Sequence, residues 1–247
     1  MHLLSAYATG ASNWMDIFDH TRSYHYEVPR RCLTSELLTK CVCAFTAKQL
    51  SLVDSGGIWS VPAARYYGDA LRLLIQHLES SPSTTPEDAL TANMLLASYE
   101  LLEDNAYSHQ RHLRGAAALI KMHGVNAKSQ GMDKANFWVY VRHEITIAIE
   151  NERQLQLSPK DWHVECKPDE TDEDVLGNRI MWLVARAVDY IYAPEQPSSP
   201  NTILQDIHSE AVAWLDNLPV SFQGIKYANT DNLSFGKTYF AVPTAGQ

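Results

Sequence analysis

An aromatic-rich segment from residue 137 to residue 149 constrains the fold of this chain more than any other feature. Its apolar residues recur at steps of three and four, which is the spacing of one face of an α-helix. The residues on this stripe are Phe137, Tyr140, Val141, Ile145, Ala148 and Ile149. The same segment holds a cation, Arg142, and an anion, Glu144, only two residues apart. Because residues at that spacing do not face each other on a helix, each charge predicts a separate partner.

Helical spacing of apolar residues continues along most of the chain. One predicted helix runs from Thr34 or Ser35 to about Val53, and another ends at Gly124, a residue suited to a left-handed C′ position. On the helix that follows Pro62, the predicted inward stripe consists of Tyr66, Ala70, Leu71, Leu74 and Leu78. The predicted N-caps are Asn13, Thr34 or Ser35, Thr85, Ser108, Asp133, Thr171 and Asn201. No strand signal and no repeat of 20–50 residues is evident. We therefore predict an all-α fold, built as an array of antiparallel helical hairpins.

The composition excludes several classes of protein. The chain has 247 residues and a net charge of −9, so an acidic surface would repel a phosphate backbone, and direct nucleic-acid binding is not expected. No apolar run approaches the roughly 20 residues that span a bilayer, and residues 1–7 lack the features of a secretory signal. With four unevenly spaced cysteines, reduced thiols in the cytosol or nucleus are expected rather than a disulfide framework.

The histidines and cysteines form no motif for metal binding or nucleophilic catalysis. His109 and His112 share a helical face, but no third and fourth ligand accompany them, and we interpret them as surface or helix-end residues. The thiols are interpreted as inert side chains. The residues considered and set aside are His109, His112, His123, His163, Cys32, Cys41, Cys43 and Cys166. The sequence therefore predicts no enzyme, no metal and no cofactor.

The strongest polar candidates lie on the aromatic-rich helix. Trp138, Tyr140, Arg142 and Glu144 could line a pocket for a polar or acidic effector. The alternative is that both charges are held in structural ion pairs, with Glu100, Arg111 or Arg114 of the preceding helices as partners. The sequence is compatible with either an effector pocket or structural ion pairs.

Several helical segments, taken in order, resemble the regulatory domain of fungal-specific transcription factors that carry a six-cysteine binuclear zinc cluster. The sequence from Phe137 to Glu144 is similar to the Phe-Trp-x-Tyr-x-Arg-x-Glu helix of that family. The other similar segments are residues 14–19, 37–50, 64–74, 90–100, 112–120 and 214–219. The resemblance covers about residues 11–222, which we take as the domain. Residues 223–247 are predicted to be an irregular tail, after which the family would have further helices.

This resemblance implies a non-catalytic regulatory domain that acts in the nucleus. Its expected partners are proteins or a small effector, with a homodimer left open and no membrane association. DNA would be reached only indirectly, because the zinc cluster of the family is missing from these residues. Two alternatives remain: a helical protein-interaction scaffold unrelated to transcription, and a helical enzyme, which gains little support because no nucleophile–base pair stands out.

Overall fold

The protein is predominantly helical, as predicted. A computed structural model describes residues 2–53, 57–79, 86–103, 109–165, 167, 170–194, 200–228 and 237–240. Its α-helices are α1 (His2–Thr9), α2 (Ala11–Met15), α3 (Ser23–Arg31), α4 (Glu36–Val53), α5 (Ser60–Glu79), α6 (Pro86–Leu101), α7 (His109–His123), α8 (Gly131–Glu150), α9 (Glu173–Ile191) and α10 (Pro200–Asp216). Short 3₁₀ turns lie at Pro159–Trp162 and Val220–Phe222. Within the described ranges, no helix is both long and apolar enough to cross a membrane.

Two helices, α6 and α8, are buried around most of their circumference and form the centre of the molecule. Every residue of α6 from 89 to 100 is buried. The prediction of a single inward stripe on α8 was wrong, because Val139, His143 and Ile147 are also buried whereas Ile149 is 47% exposed. A helix that is apolar on all sides is stable in water only when other elements cover it. The neighbours of α8, rather than its own sequence period, therefore decide which side reaches solvent.

The remaining helices surround these two. Helix α6 packs against α4, α5, α7 and α8, and α8 also contacts α3, α7 and α9. One continuous hydrophobic core extends from Leu3 in α1 to Val188 in α9. The consecutive pairs α4–α5 and α6–α7 pack together, as expected for helical hairpins. Their antiparallel arrangement and the domain limits at residues 11 and 222 stay predictions.

Several predicted helix starts were displaced by one or more residues. Asn13 lies inside α2, and the N-cap of α8 is Gln130 instead of Asp133. Helix α9 is capped by Asp172 rather than Thr171, and α10 already begins at Pro200. Short polar side chains favour N-cap positions locally, but Gly10 and Gln130 occupy two of these positions, so packing also decides where a helix begins. Thr85 and Ser108 lie outside the described residues.

Other boundary predictions agree with the structure. The Ser35 hydroxyl accepts a hydrogen bond from the backbone N–H of Leu38 at 3.4 Å, at the start of α4. Gly124 has a φ of +66° just after α7, which is the left-handed conformation predicted for it.

The first turn of α3 is capped by carboxylates that precede it in the chain. The backbone N–H groups of Tyr24 and His25 donate to the Asp16 carboxylate at 2.9 and 2.8 Å, and that of Ser23 donates to Asp19 at 3.0 Å. These bonds satisfy N–H groups that have no partner within the helix, at the positive end of its dipole. Asp16 lies seven residues before the helix, too far for a sequence-based capping rule.

A small β-hairpin interrupts the predicted irregular tail. Strand β1 (Ile225–Ala228) pairs antiparallel with β2 (Lys237–Tyr239), and Ile225 lies opposite Tyr239. Gly224 stands where an added Cβ would clash with the Thr238 methyl group, so a larger residue would displace the strand. Strands this short carry too few residues to show a period of two.

We predict that Asp16→Ala lowers the free energy of unfolding by about 1–3 kcal/mol, because two backbone N–H groups lose the carboxyl group that accepts from them. Burial raises the pKa of this carboxyl to about 7, so it is only partly ionised at neutral pH. Urea denaturation followed by far-ultraviolet circular dichroism measures the change. The matched control is Asp172→Ala, since Asp172 is the N-cap of α9 but makes no side-chain capping bond. An equal effect of both substitutions would contradict the capping role of Asp16.

Candidate functional site

The four residues predicted on the aromatic-rich helix face different surroundings. Trp138 is 6% exposed and packs edge-on against Phe137 and Trp162. It lines two surface cavities of about 350 and 380 Å³, and Lys134 lines both of them as well. Tyr140 is fully buried, and its hydroxyl has no hydrogen-bond partner among the described residues.

Arg142 connects α8 to the N-terminal helices. Its Nη2 atom donates to the backbone carbonyl of Met15 at 2.8 Å, and its guanidinium carbon lies 5.3 Å from the centre of the Phe18 ring. Burial lowers the pKa of the Arg142 guanidinium to about 10, so it stays charged at neutral pH. The contact therefore fixes the end of α2 on α8 through a charge-assisted hydrogen bond.

Glu144 is fully buried and holds the segment that follows α8. Its Oε1 atom accepts from Arg153 at 2.7 Å and from the backbone N–H of Gln156 at 2.8 Å. Its Oε2 atom accepts from Arg153 at 3.2 Å and from the Gln156 side chain at 3.0 Å. Four donors to one carboxylate satisfy the requirement that a buried charge be paired.

The predicted partners of these charges were wrong. Arg142 reaches Met15 and Glu144 reaches Arg153, rather than Glu100, Arg111 or Arg114. Helical spacing could not reveal the true partners, because both lie outside α8, in α2 and in the segment after residue 150. The structure does not bring the four candidate residues together around one cavity, and their role in effector binding stays a prediction.

In the described part of the chain, the candidate cysteines and histidines show neither an activated thiol nor a metal site. Burial raises the pKa of Cys32 to about 11 and that of Cys41 further, so both thiols are protonated at neutral pH. His123 is exposed near the end of α7. Cys166 and the side chain of His109 lie outside the described residues. Across the described part of the chain, no three His, Cys, Asp or Glu side chains converge as metal ligands would.

The largest cavity described is a groove between α5, α6 and α7, with a volume of about 750 Å³. Its walls are mainly aliphatic side chains from α5 and α7. Its lining residues are Tyr67, Leu71, Leu74, Ile75, Leu78, Asn93, Glu100, Arg111, His112, Gly115, Ala118 and Leu119. We refer to it below as the α5–α7 groove. Leu78 was predicted to point into the core but is 54% exposed along this groove.

Polar side chains from all three helices form the floor of the groove. The Tyr67 hydroxyl donates to Glu100 Oε1. His112 Nδ1 lies 2.6 Å from Asn93 Oδ1, and Asn93 Nδ2 donates to the backbone carbonyl of His112 at 3.0 Å. Burial raises the pKa of the Glu100 carboxyl and lowers that of the His112 imidazole to about 4.

Sequence reasoning missed this cluster. His112 was interpreted as a surface or helix-end residue, but it is 8% exposed. Glu100 was considered only as an ion-pair partner, and Tyr67 and Asn93 were not singled out. Gly115 of α7 lies against this cluster, since an added Cβ there would lie 3.0 Å from Asn93 Nδ2 and crowd the amide.

We predict that removal of the Arg153 side chain lowers the free energy of unfolding by about 2–3 kcal/mol, because it leaves the Glu144 carboxylate buried without its cation. Chemical denaturation of Arg153→Ala measures this loss. Arg30→Ala breaks an exposed ion pair with Glu27 and should cost less than about 1 kcal/mol. A similar small loss in both variants would show that Glu144 does not depend on Arg153.

We predict that acid destabilises the protein through His112. The pKa of its imidazole is about 4 when folded and about 6.5 in an unfolded chain, so the unfolded state binds more protons between these values. The contribution of His112 to stability is therefore fully present above pH 6.5 and falls by about 2 kcal/mol between pH 7 and pH 5. Burial raises the pKa of Asp16 to about 7 and also raises that of Glu100, so these two carboxyl groups change stability in the opposite direction as the pH falls.

Comparison with His112→Asn isolates this contribution, because the Asn amide can still donate to Asn93 but does not titrate. Urea denaturation at pH 7 and pH 5 should show a smaller acid loss in the variant than in the original protein. An NMR titration that finds the His112 ring protonated at pH 6 would contradict the prediction.

Comparison with known families connects this helical array to transcription. The family model described as "Fungal specific transcription factor domain" matches residues 2–170. No curated protein and no solved structure matches the chain. The matched region includes α1 to α8 and therefore both central helices and the whole α5–α7 groove. Because the match extends over more than half of its length, the chain belongs to the family of fungal-specific transcription factor domains, with a regulatory role in transcription.

Proposed function

We propose that this chain is a non-catalytic regulatory domain that controls a transcription factor by binding a small effector or a protein partner. The single observation that supports this most is the family match over residues 2–170. Domains of this family are generally not enzymes. Burial also keeps the Cys32 and Cys41 thiols protonated at neutral pH, so neither of these two is an activated nucleophile.

We propose further that these residues reach DNA only through another module. The net charge of −9 opposes direct contact with a phosphate backbone. A binuclear zinc cluster requires six cysteines, whereas this sequence contains four. The nucleus is the proposed site of action, because a regulatory domain must accompany its DNA-binding module.

Regulation by such a domain requires two arrangements whose balance a ligand can shift. Arg142 and Glu144 are proposed to be structural in this process, since their contacts hold α2 and residues 153–156 against α8. Trp138 is the residue of the four that also lines cavities open to solvent. Helices α6 and α8 would then be a rigid centre around which the outer helices respond.

A reporter assay tests this proposal. Residues 1–247 are fused to an unrelated DNA-binding module in yeast, and expression from a promoter with the matching site is measured. We expect the fusion to change reporter output several-fold relative to the module alone and to accumulate in the nucleus. Arg153→Ala should reduce the effect in step with its loss of folding, whereas Arg30→Ala should not.

The assay also distinguishes the proposed function from its alternative, a helical scaffold unrelated to transcription. A fusion that leaves reporter output unchanged, together with a strictly cytosolic location of the chain expressed without the module, would contradict the proposed function and favour the scaffold. Sedimentation of the purified chain would test the expected homodimer separately.

A further inference from the structure

We propose that the α5–α7 groove is the effector site, and that its ligand is a small molecule with an apolar body and a hydrogen-bond donor, an amine or a hydroxyl, at one end. This inference rests on the proposed function and names the ligand class for it.

The groove has the dimensions and lining of a small-molecule site. Its volume of about 750 Å³ lies within the roughly 300–1,000 Å³ typical of ligand pockets. Ile75 and Leu78 are 49% and 54% exposed along it, beside Leu71 and Leu74 of the same helix. Leu119 of α7 contributes to the lining as well. An apolar ligand body would remove this surface from water.

The orientation of Asn93 defines the hydrogen bonds of the floor. Its Nδ2 atom must donate to the carbonyl of His112, so Oδ1 faces His112 Nδ1 at 2.6 Å and accepts a hydrogen bond from the Nδ1–H group. The neutral imidazole then carries a lone pair on Nε2. That atom lies 3.3 Å from the Tyr67 hydroxyl and 3.5 Å from Glu100 Oε1.

The floor therefore contains more acceptors than donors. Tyr67 has one hydroxyl proton, and it is donated to Glu100 Oε1. Glu100 Oε2 is buried and has no hydrogen-bond partner among the described residues. The Nε2 atom of the neutral His112 ring carries no proton, so it is a further acceptor. Buried acceptors without a donor are unfavourable, so a ligand that brings N–H or O–H groups to this floor would gain affinity from them.

Charge at the groove favours the same ligand class. Glu100 is 5% exposed, and its carboxylate would repel a ligand carboxylate or phosphate at the floor. Arg111 is the cation of the lining, and it is exposed. An anionic ligand could contact Arg111 only at the exposed side of the groove, where solvent weakens the interaction. The experiment therefore includes an anionic probe as the alternative.

The experiment uses the purified full chain and three probes of equal chain length: octylamine, 1-octanol and octanoate. Binding is measured by calorimetry and mapped by NMR chemical-shift changes. We expect saturable binding of octylamine, with or without 1-octanol, that shifts the signals of Tyr67, His112 and Leu119. If octylamine and 1-octanol both bind, the site accepts any apolar ligand with a hydrogen-bond donor at one end. If octylamine alone binds, the site requires a cation.

Two variants with matched controls test the location. Glu100→Gln replaces the free acceptor with an amide donor and should weaken octylamine binding by roughly tenfold or more. Glu210→Gln is its control, since Glu210 pairs with Arg186 and is not part of the groove lining. Ala118→Trp places a large side chain over the exposed edge of the groove without touching its floor, and should abolish binding. Ala64→Trp, at an exposed position earlier on α5, should leave binding unchanged.

The proposal would be overturned if octanoate bound as tightly as octylamine, if none of the probes bound, or if Ala118→Trp and Ala64→Trp had the same effect. Circular dichroism confirms that each variant is folded. If Glu100→Gln does not fold, Ala118→Trp still tests the location of the site. Failure of binding with an intact reporter response would refute only the ligand site. Intact binding without any reporter response would refute the proposed function instead.

Discussion

The burial of charge on a central helix is the constraint on which the rest of this structure depends. Helix α8 is covered on almost every side, yet it carries Arg142 and Glu144. Each charge is stable there only because another part of the chain supplies its partner: the carbonyl of Met15 for the cation, and Arg153 with Gln156 for the anion. These contacts fix the positions of α2 and of the segment after α8, since moving either would leave a buried charge unpaired.

On the other central helix, α6, the described buried polar side chains also have hydrogen-bond partners, with one exception. Its Thr91 hydroxyl accepts from Asn136 of α8 at 2.9 Å, and Asn136 in turn accepts from the Tyr24 hydroxyl of α3 at 2.6 Å. Asn93 is paired with His112. Glu100 is different, because Tyr67 occupies one of its carboxylate oxygens while the other has no partner among the described residues. Glu100 therefore differs from Glu144 of α8, whose two carboxylate oxygens both accept hydrogen bonds, and it lies beside an open groove.

Sequence reasoning succeeded where local properties decide the outcome. Ser35 caps the start of α4, Gly124 follows α7 in the left-handed conformation, and the spacing of apolar residues located the helices. It was less successful on details that depend on neighbours. Asp133 has the chemistry of an N-cap but lies within the first turn of α8, and the short strands of the tail gave no periodic signal. The same limit applies to Leu78, whose place on an apolar stripe predicted the core but not the groove.

The sequence by itself determined the fold class, the family and the acidic character of the surface, because these follow from local periodicity, residue order and composition. Only the tertiary structure decided which charges pair and which face a cavity. Arg142 and Glu144 seemed the best site candidates because they are charged and sit on an apolar helix, but their hydrogen bonds are made inside the protein. Tyr67, Glu100 and His112 come from three helices, so packing alone creates their juxtaposition.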